Sequence, residues 1–217
     1  MHQGDFVRNQ TASRAAAAAL LMIAVSGVAS AHTGEGAAGG FMAGIAHPLG
    51  GLDHLLAMVA VGIWGAFLGK PLIWQLPVAF PFMMVVGGAL SLNGVDLPHV
   101  ELGIALSVVV LGLAIAAAWR APRPVALLII AVFAICHGHA HGTELPEAAN
   151  AAAYAAGFVL ATGALHLAGI VFGLAIGSVA GKSILRVAGL AIAAMGVWIV
   201  LAMYGYVVDP PELPHLF

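Results

Sequence analysis

Along the chain, polar residues punctuate long apolar blocks and almost never alternate with them. Six blocks follow one another at residues 41–69, 71–92, 101–119, 125–144, 148–176 and 184–208, parted by the turn or charge signals GKP, NGVDLP, RAPRP, ELPE and AGKS. A helix needs roughly 20 apolar residues to cross the hydrocarbon core of a bilayer, and each block is about that long or longer. The pattern predicts an all-α fold, a polytopic membrane helix bundle with six transmembrane helices. Ahead of these lies a shorter apolar run, Ala15 to Val28, preceded by Arg8 and Arg14 and followed by Ala29-Ser30-Ala31. A positive start, a short apolar middle and a small-x-small end read as a cleavable signal peptide over 1–31, with the mature domain over 32–217; the alternative is an uncleaved seventh helix.

Composition fixes the solvent. The 217 residues are 62% hydrophobic and 7% charged, more apolar surface than a water-soluble domain of this length can hide, so the first partner is the lipid bilayer. A net charge of -2 and the lack of any basic patch interleaved with aromatics exclude nucleic acid. The single cysteine, Cys136, rules out an internal disulfide, and with Met58, Met83 and Met84 it offers too little sulfur for a soft-metal site. Lys70, Arg120, Arg123, Lys182 and Arg186 fall in alternate loops, while Asp96, Glu147, Asp209 and Glu212 occupy the others and the tail. The basic loops face the cytoplasm, so the mature N- and C-termini lie outside it; the expected location is a bacterial inner membrane.

That orientation brings distant polar groups to one depth. The first block starts outside, so His47, Asp53 and His54 lie in its outer half; the fourth ends outside, so His137 to Glu144 lie there too, with Asp96, His99 and Glu101 on the same side. His166 falls near the middle or inner half. On a helix His137, His141 and Glu144 share one stripe while His139 points away, and two imidazoles a turn apart with a carboxylate beyond form a chelating face. His47 and His54 share a face if their helix is continuous; Pro48 suits a first helical turn, and Gly50 and Gly51 permit close packing or a local break. Asp53 serves as ligand or as orienter of a ligand. Ionisable groups in a span cost roughly 2.5–3.5 kcal/mol each on insertion scales, so such a concentration marks a metal or ion pathway. Glu101 and His99 sit nearer the interface, Cys136 and His139 read as packing or supporting groups, and His32 joins the ligands if cleavage frees it as the N-terminus.

Imidazole with carboxylate and no thiolate suits nickel, cobalt, zinc or ferrous iron. Several moderate sites along a path favour a permease over an enzyme, with the outer cluster capturing the ion and His166 as a station inward. No cofactor is permanently bound in this reading. The alternatives are an intramembrane zinc hydrolase, with His47, His137 and His141 as ligands and Asp53 or Glu144 as base, and a bis-histidine haem protein. The phosphate-binding pattern G-x-x-x-x-G-K is missing, so transport is secondary rather than driven by ATP hydrolysis.

These residues carry a resemblance. HPLGGLDHLLAMVAVG, His47 to Gly62, resembles the first signature of the HupE/UreJ family of small nickel and cobalt permeases, and HGHAHGTE, His137 to Glu144, resembles the second. GFVLATGALHLAG, around His166, is also similar, and the likeness spans the mature chain; where the family pattern has an aromatic residue before the second signature, this chain has Cys136. The resemblance implies a transmembrane permease domain taking up divalent nickel or cobalt, and an indirect supply of metal to nickel enzymes or to cobalamin maturation; ferrous iron and zinc remain possible cargo on ligand chemistry alone.

Overall fold

The computed structural model describes residues 37–143, 150–176 and 179–207. The expected signal peptide with its cleavage site, together with His32 and Glu144, lies outside the described residues. Those described form seven α-helices: α1 Ala37–Gly50, α2 Leu52–Leu68, α3 Leu72–Leu92, α4 Val100–Ala116, α5 Arg123–Thr143, α6 Ala151–Ala175 and α7 Val179–Met203. Four stretches, Leu72–Leu92, Arg123–Gly142, Ala151–Ala175 and Ser183–Met203, are each long and apolar enough to cross a membrane, and the bent pair α1–α2 makes a fifth if it is one span.

Two expected spans therefore differ from the plain picture. The block at 41–69 is not one helix: Gly51 sits in extended backbone (φ -90°, ψ 122°), and the helices on either side meet at 83°. Pro48, expected in a first turn, lies near the end of α1, where it cannot donate to the carbonyl one turn back; two glycines follow at once and complete the break. The third block closes early, at Ala116. Trp119 N–H and Ala118 N–H turn back to the Ala114 and Ile115 carbonyls, with Ala118 left-handed at φ 50°, a geometry that usually takes glycine. With 17 residues, α4 is as short as α2, and of the seven helices described α1 alone is shorter. The other ends follow local chemistry. Asn150 caps α6 by accepting the Ala153 N–H, and Gly94 at φ 73° stops α3 through the same pair of backward bonds, Val95 to Leu90 and Gly94 to Ser91.

Helices meet in four close pairs: α3 with α5, α4 with α7, and α6 with both α1 and α2. Each pair is set by glycines on both sides. A Cβ at Gly87 or Gly138 would run into the backbone of Ile135 or Met84 across α3–α5; Gly62 and Gly169 do the same for α2–α6, Gly44 and Gly157 for α1–α6, and Gly112 and Gly189 for α4–α7. Lipid offers no hydrophobic drive between helices, so close backbone approach supplies the contact. The outer faces are apolar, and a small set of polar groups is enclosed within an apolar core. Val78, Phe82, Leu128, Leu160 and Val187 are exposed, while His54, Ser107, His137, His139, Thr162 and His166 are buried among Met58, Trp64, Phe80, Leu111 and Ile130. That arrangement suits a lipid solvent.

Candidate metal site

The break at Gly51 builds the site. It ends α1 just after His47 and starts α2 just before His54, and the bend lets both imidazoles reach the same neighbour although no continuous helix joins them. His47 and His54 lie with ring centroids 4.7 and 4.5 Å from that of His141, and His54 lies 4.7 Å from His137. His141 Nε2 is 3.3 Å from each ring nitrogen of His54. The structure thus brings together two groups that are far apart in sequence. His137 and His141, a turn apart on α5, both face this point.

Hydrogen bonds assign separate jobs to the three histidines of α5. His137 Nδ1 lies 2.9 Å from the Phe133 carbonyl. A carbonyl only accepts, so Nδ1 carries the proton and Nε2 holds a lone pair, which is buried without a hydrogen-bond partner among the described residues. That is the tautomer a metal ligand needs, oriented through its other nitrogen. His139 uses Nε2 to donate to the Val95 carbonyl at 2.8 Å, tying the α3–α4 loop to α5 on the side away from the cluster. Cys136 packs towards Gly103 of α4.

The remaining candidates fall around this centre. Asp53 Oδ1 accepts the His54 backbone N–H at 2.7 Å, in the first turn of α2 where unpaired N–H groups favour an anion. Its carboxylate thereby holds the start of the helix that presents His54. Glu101 is exposed in the first turn of α4, and His99 is the exposed left-handed residue before it. His166 is buried on α6 and separated from the cluster by one ring: Phe80 lies 5.3 Å from His137 and 5.6 Å from His166. His166 turns one ring nitrogen towards the Pro77 carbonyl of α3, which Pro81, lacking an N–H, leaves without its helical donor; the other nitrogen has no hydrogen-bond partner among the described residues. Aromatic walls complete the cluster, and the sequence reading did not name them. Phe158 packs 4.6 Å from His141 and 5.5 Å from His54, and Tyr154 packs 5.9 Å from His47. Their spacing of four and eight residues back from Thr162 was the available signal.

Among the described residues, no group of three or more histidine, cysteine or acidic side chains is already arranged to hold a metal ion. The imidazoles are neighbours edge to face, not a closed shell. What they offer is a concentration of nitrogen donors, buried at His54 and His137 and half-buried at His47 and His141, with one tautomer fixed and walls of Phe80, Tyr154 and Phe158.

Comparison with known proteins gives a consistent result. The sequence model of a family described as "HupE / UreJ protein" matches residues 20–199. Protein HupE of Rhizobium leguminosarum bv. viciae is 46% identical over 177 residues, covering 82% of this chain and 92% of that protein. No solved structure matches.

Proposed function

Because the chain belongs to the HupE/UreJ family, we propose that it carries a divalent transition metal, nickel or cobalt, into the cell by secondary transport through the histidine cluster. The observation that carries this reading is the meeting of His47 and His54 with His137 and His141 inside an otherwise apolar bundle. Two imidazole nitrogens about 2.05 Å from one ion at a tetrahedral angle are about 3.3 Å apart. His141 Nε2 and the nitrogens of His54 have that separation, 3.3 Å, so a small rotation of the rings converts neighbours into joint ligands.

In this mechanism the metal is cargo. It arrives from outside the cytoplasm and exchanges water for imidazole at the cluster, with Glu144 and, if it is the free N-terminus, His32 adding ligands from the outer side. It then moves inward past Phe80 to His166. Asp53 fixes the start of α2, and Glu101 stands at the outer entrance. The bilayer is crossed six times, counting the α1–α2 pair as one broken span and α4 as a short one, with the basic loops in the cytoplasm of a bacterium and both mature termini outside. Ferrous iron and zinc share the same ligand chemistry and are the natural competitors. The family gives no support to the zinc-hydrolase alternative, and Asp53, one of its two candidate bases, accepts the His54 N–H.

Uptake of radiolabelled nickel and cobalt into cells expressing this chain alone tests the proposal. Saturable accumulation above control cells, lost in His141→Ala at equal membrane abundance, is the expected result. Uptake indistinguishable from control cells for nickel, cobalt, iron and zinc would sink it.

A further inference from the structure

The wall of the histidine cluster continues inward along one face of α6. Tyr154, Phe158, Thr162 and His166 recur every four residues, a spacing that keeps them on one stripe, and all four are buried. The first two line the cluster, with Phe158 against His54 and His141 and Tyr154 against His47. The next two continue the stripe towards the cytoplasmic end with polar atoms. A threonine within a helix ordinarily turns its hydroxyl to the carbonyl four residues back, here that of Phe158. Thr162 does not: fully buried at 0% exposure, its Oγ1 has no hydrogen-bond partner among the described residues, and His166 one turn on is buried with one ring nitrogen towards the Pro77 carbonyl of α3 and the other unpartnered among the described residues. Phe80, in ring contact with both His137 and His166, closes the α3 side of the same interval.

We propose that Thr162 is an ion-pathway residue, its hydroxyl oxygen receiving the metal ion as it leaves the histidine cluster and passing it to His166. This rests on the transport reading above. A neutral hydroxyl oxygen is a poorer ligand for nickel or cobalt than imidazole. That weakness suits a point of passage between two nitrogen sites, where binding must be favourable enough to enter and weak enough to leave. Conduction then depends on the oxygen, while capture at the cluster does not.

The test compares Thr162→Val, which keeps the shape and removes the oxygen, with Thr162→Ser, which keeps the oxygen. Radiolabelled nickel uptake at saturating metal is measured in cells, with membrane abundance, and nickel binding to the purified full-length protein is measured by equilibrium dialysis. The valine variant should bind nickel with wild-type affinity while its saturated uptake rate falls by about tenfold or more, the scale of losing a supporting group at a metal site. The serine variant should restore the rate. If valine is not inserted normally, Thr162→Ala replaces it under the same expectations. Wild-type uptake by an inserted, nickel-binding valine variant overturns the inference and leaves the transport reading standing. Loss of binding together with uptake overturns it too, since Thr162 then supports the cluster itself. Wild-type protein that neither binds nor moves nickel or cobalt removes both readings.

Discussion

Three histidines within five residues of α5 do three different things, and the difference is set by what each ring nitrogen meets. His137 is pinned through Nδ1 to its own helix and keeps Nε2 for the cluster, His141 meets His54 and His47 directly, and His139 anchors the α3–α4 loop through the Val95 carbonyl. Substitution should separate these roles. His137→Ala and His141→Ala should abolish uptake with normal insertion, because each removes a nitrogen from the cluster. His139→Ala should cost roughly 1 kcal/mol of stability, one buried hydrogen bond, and leave metal affinity near wild type. Uptake, membrane abundance and thermal unfolding of the three variants decide the matter, and equal loss of transport in all three contradicts the division. The stripe through His137 and His141 was legible because helical periodicity puts residues four apart on one face. The carbonyl partners of His137 and His139 were not, since Phe133 and Val95 look in sequence like any other apolar residue.

At the scale of helices, the apolar blocks and turn signals showed where α3, α5 and α6 run to within a few residues, and the ends that escaped have local causes. A glycine pair after a proline permits either a tight crossing or a break, and the sequence alone left both open at Gly50 and Gly51. The structure decides for the break, with Gly51 in extended backbone and the two helices meeting at 83°. The early stop of α4 at a left-handed alanine breaks the usual glycine rule and gave no warning. The matched glycines are invisible for another reason: each needs a partner on a distant helix. Their cost on substitution is predictable all the same. Gly138→Ala drives a Cβ into the Met84 backbone, which cannot move aside as a side chain would, so α5 must shift together with His137 and His141. The expected loss is about 1–3 kcal/mol, as for overpacking a core, with reduced uptake beyond what abundance explains. Gly163→Ala is the matched control, on an exposed face of α6 where a Cβ meets nothing within 4 Å, and it should be neutral or stabilising by up to about 1 kcal/mol. Thermal unfolding in detergent and uptake per molecule distinguish them, and a destabilised control with an unaffected Gly138→Ala refutes the packing argument.

For the molecule as a whole, the governing feature is a group of imidazoles enclosed within a bundle that is apolar on its outer faces and through most of its core. A metal ion and a proton compete for the same imidazole lone pair, and only the neutral ring binds metal. The sign follows directly. Acidification adds protons to the donor nitrogens, removes the lone pairs and adds like charge, so metal affinity must fall. A capture site built from carboxylates alone would hold its affinity through the same range, because carboxylates stay ionised until about pH 4. Apparent affinity for nickel or cobalt should therefore weaken as external pH falls through and below about 6.5, the ordinary imidazole value. The measurement is the transport half-saturation constant against external pH, at fixed membrane potential and with free metal buffered so that speciation does not imitate the effect. A flat profile, or tighter binding in acid, excludes capture by neutral imidazoles and favours proton-coupled entry through the acidic groups Asp53, Glu101 or Glu144 instead.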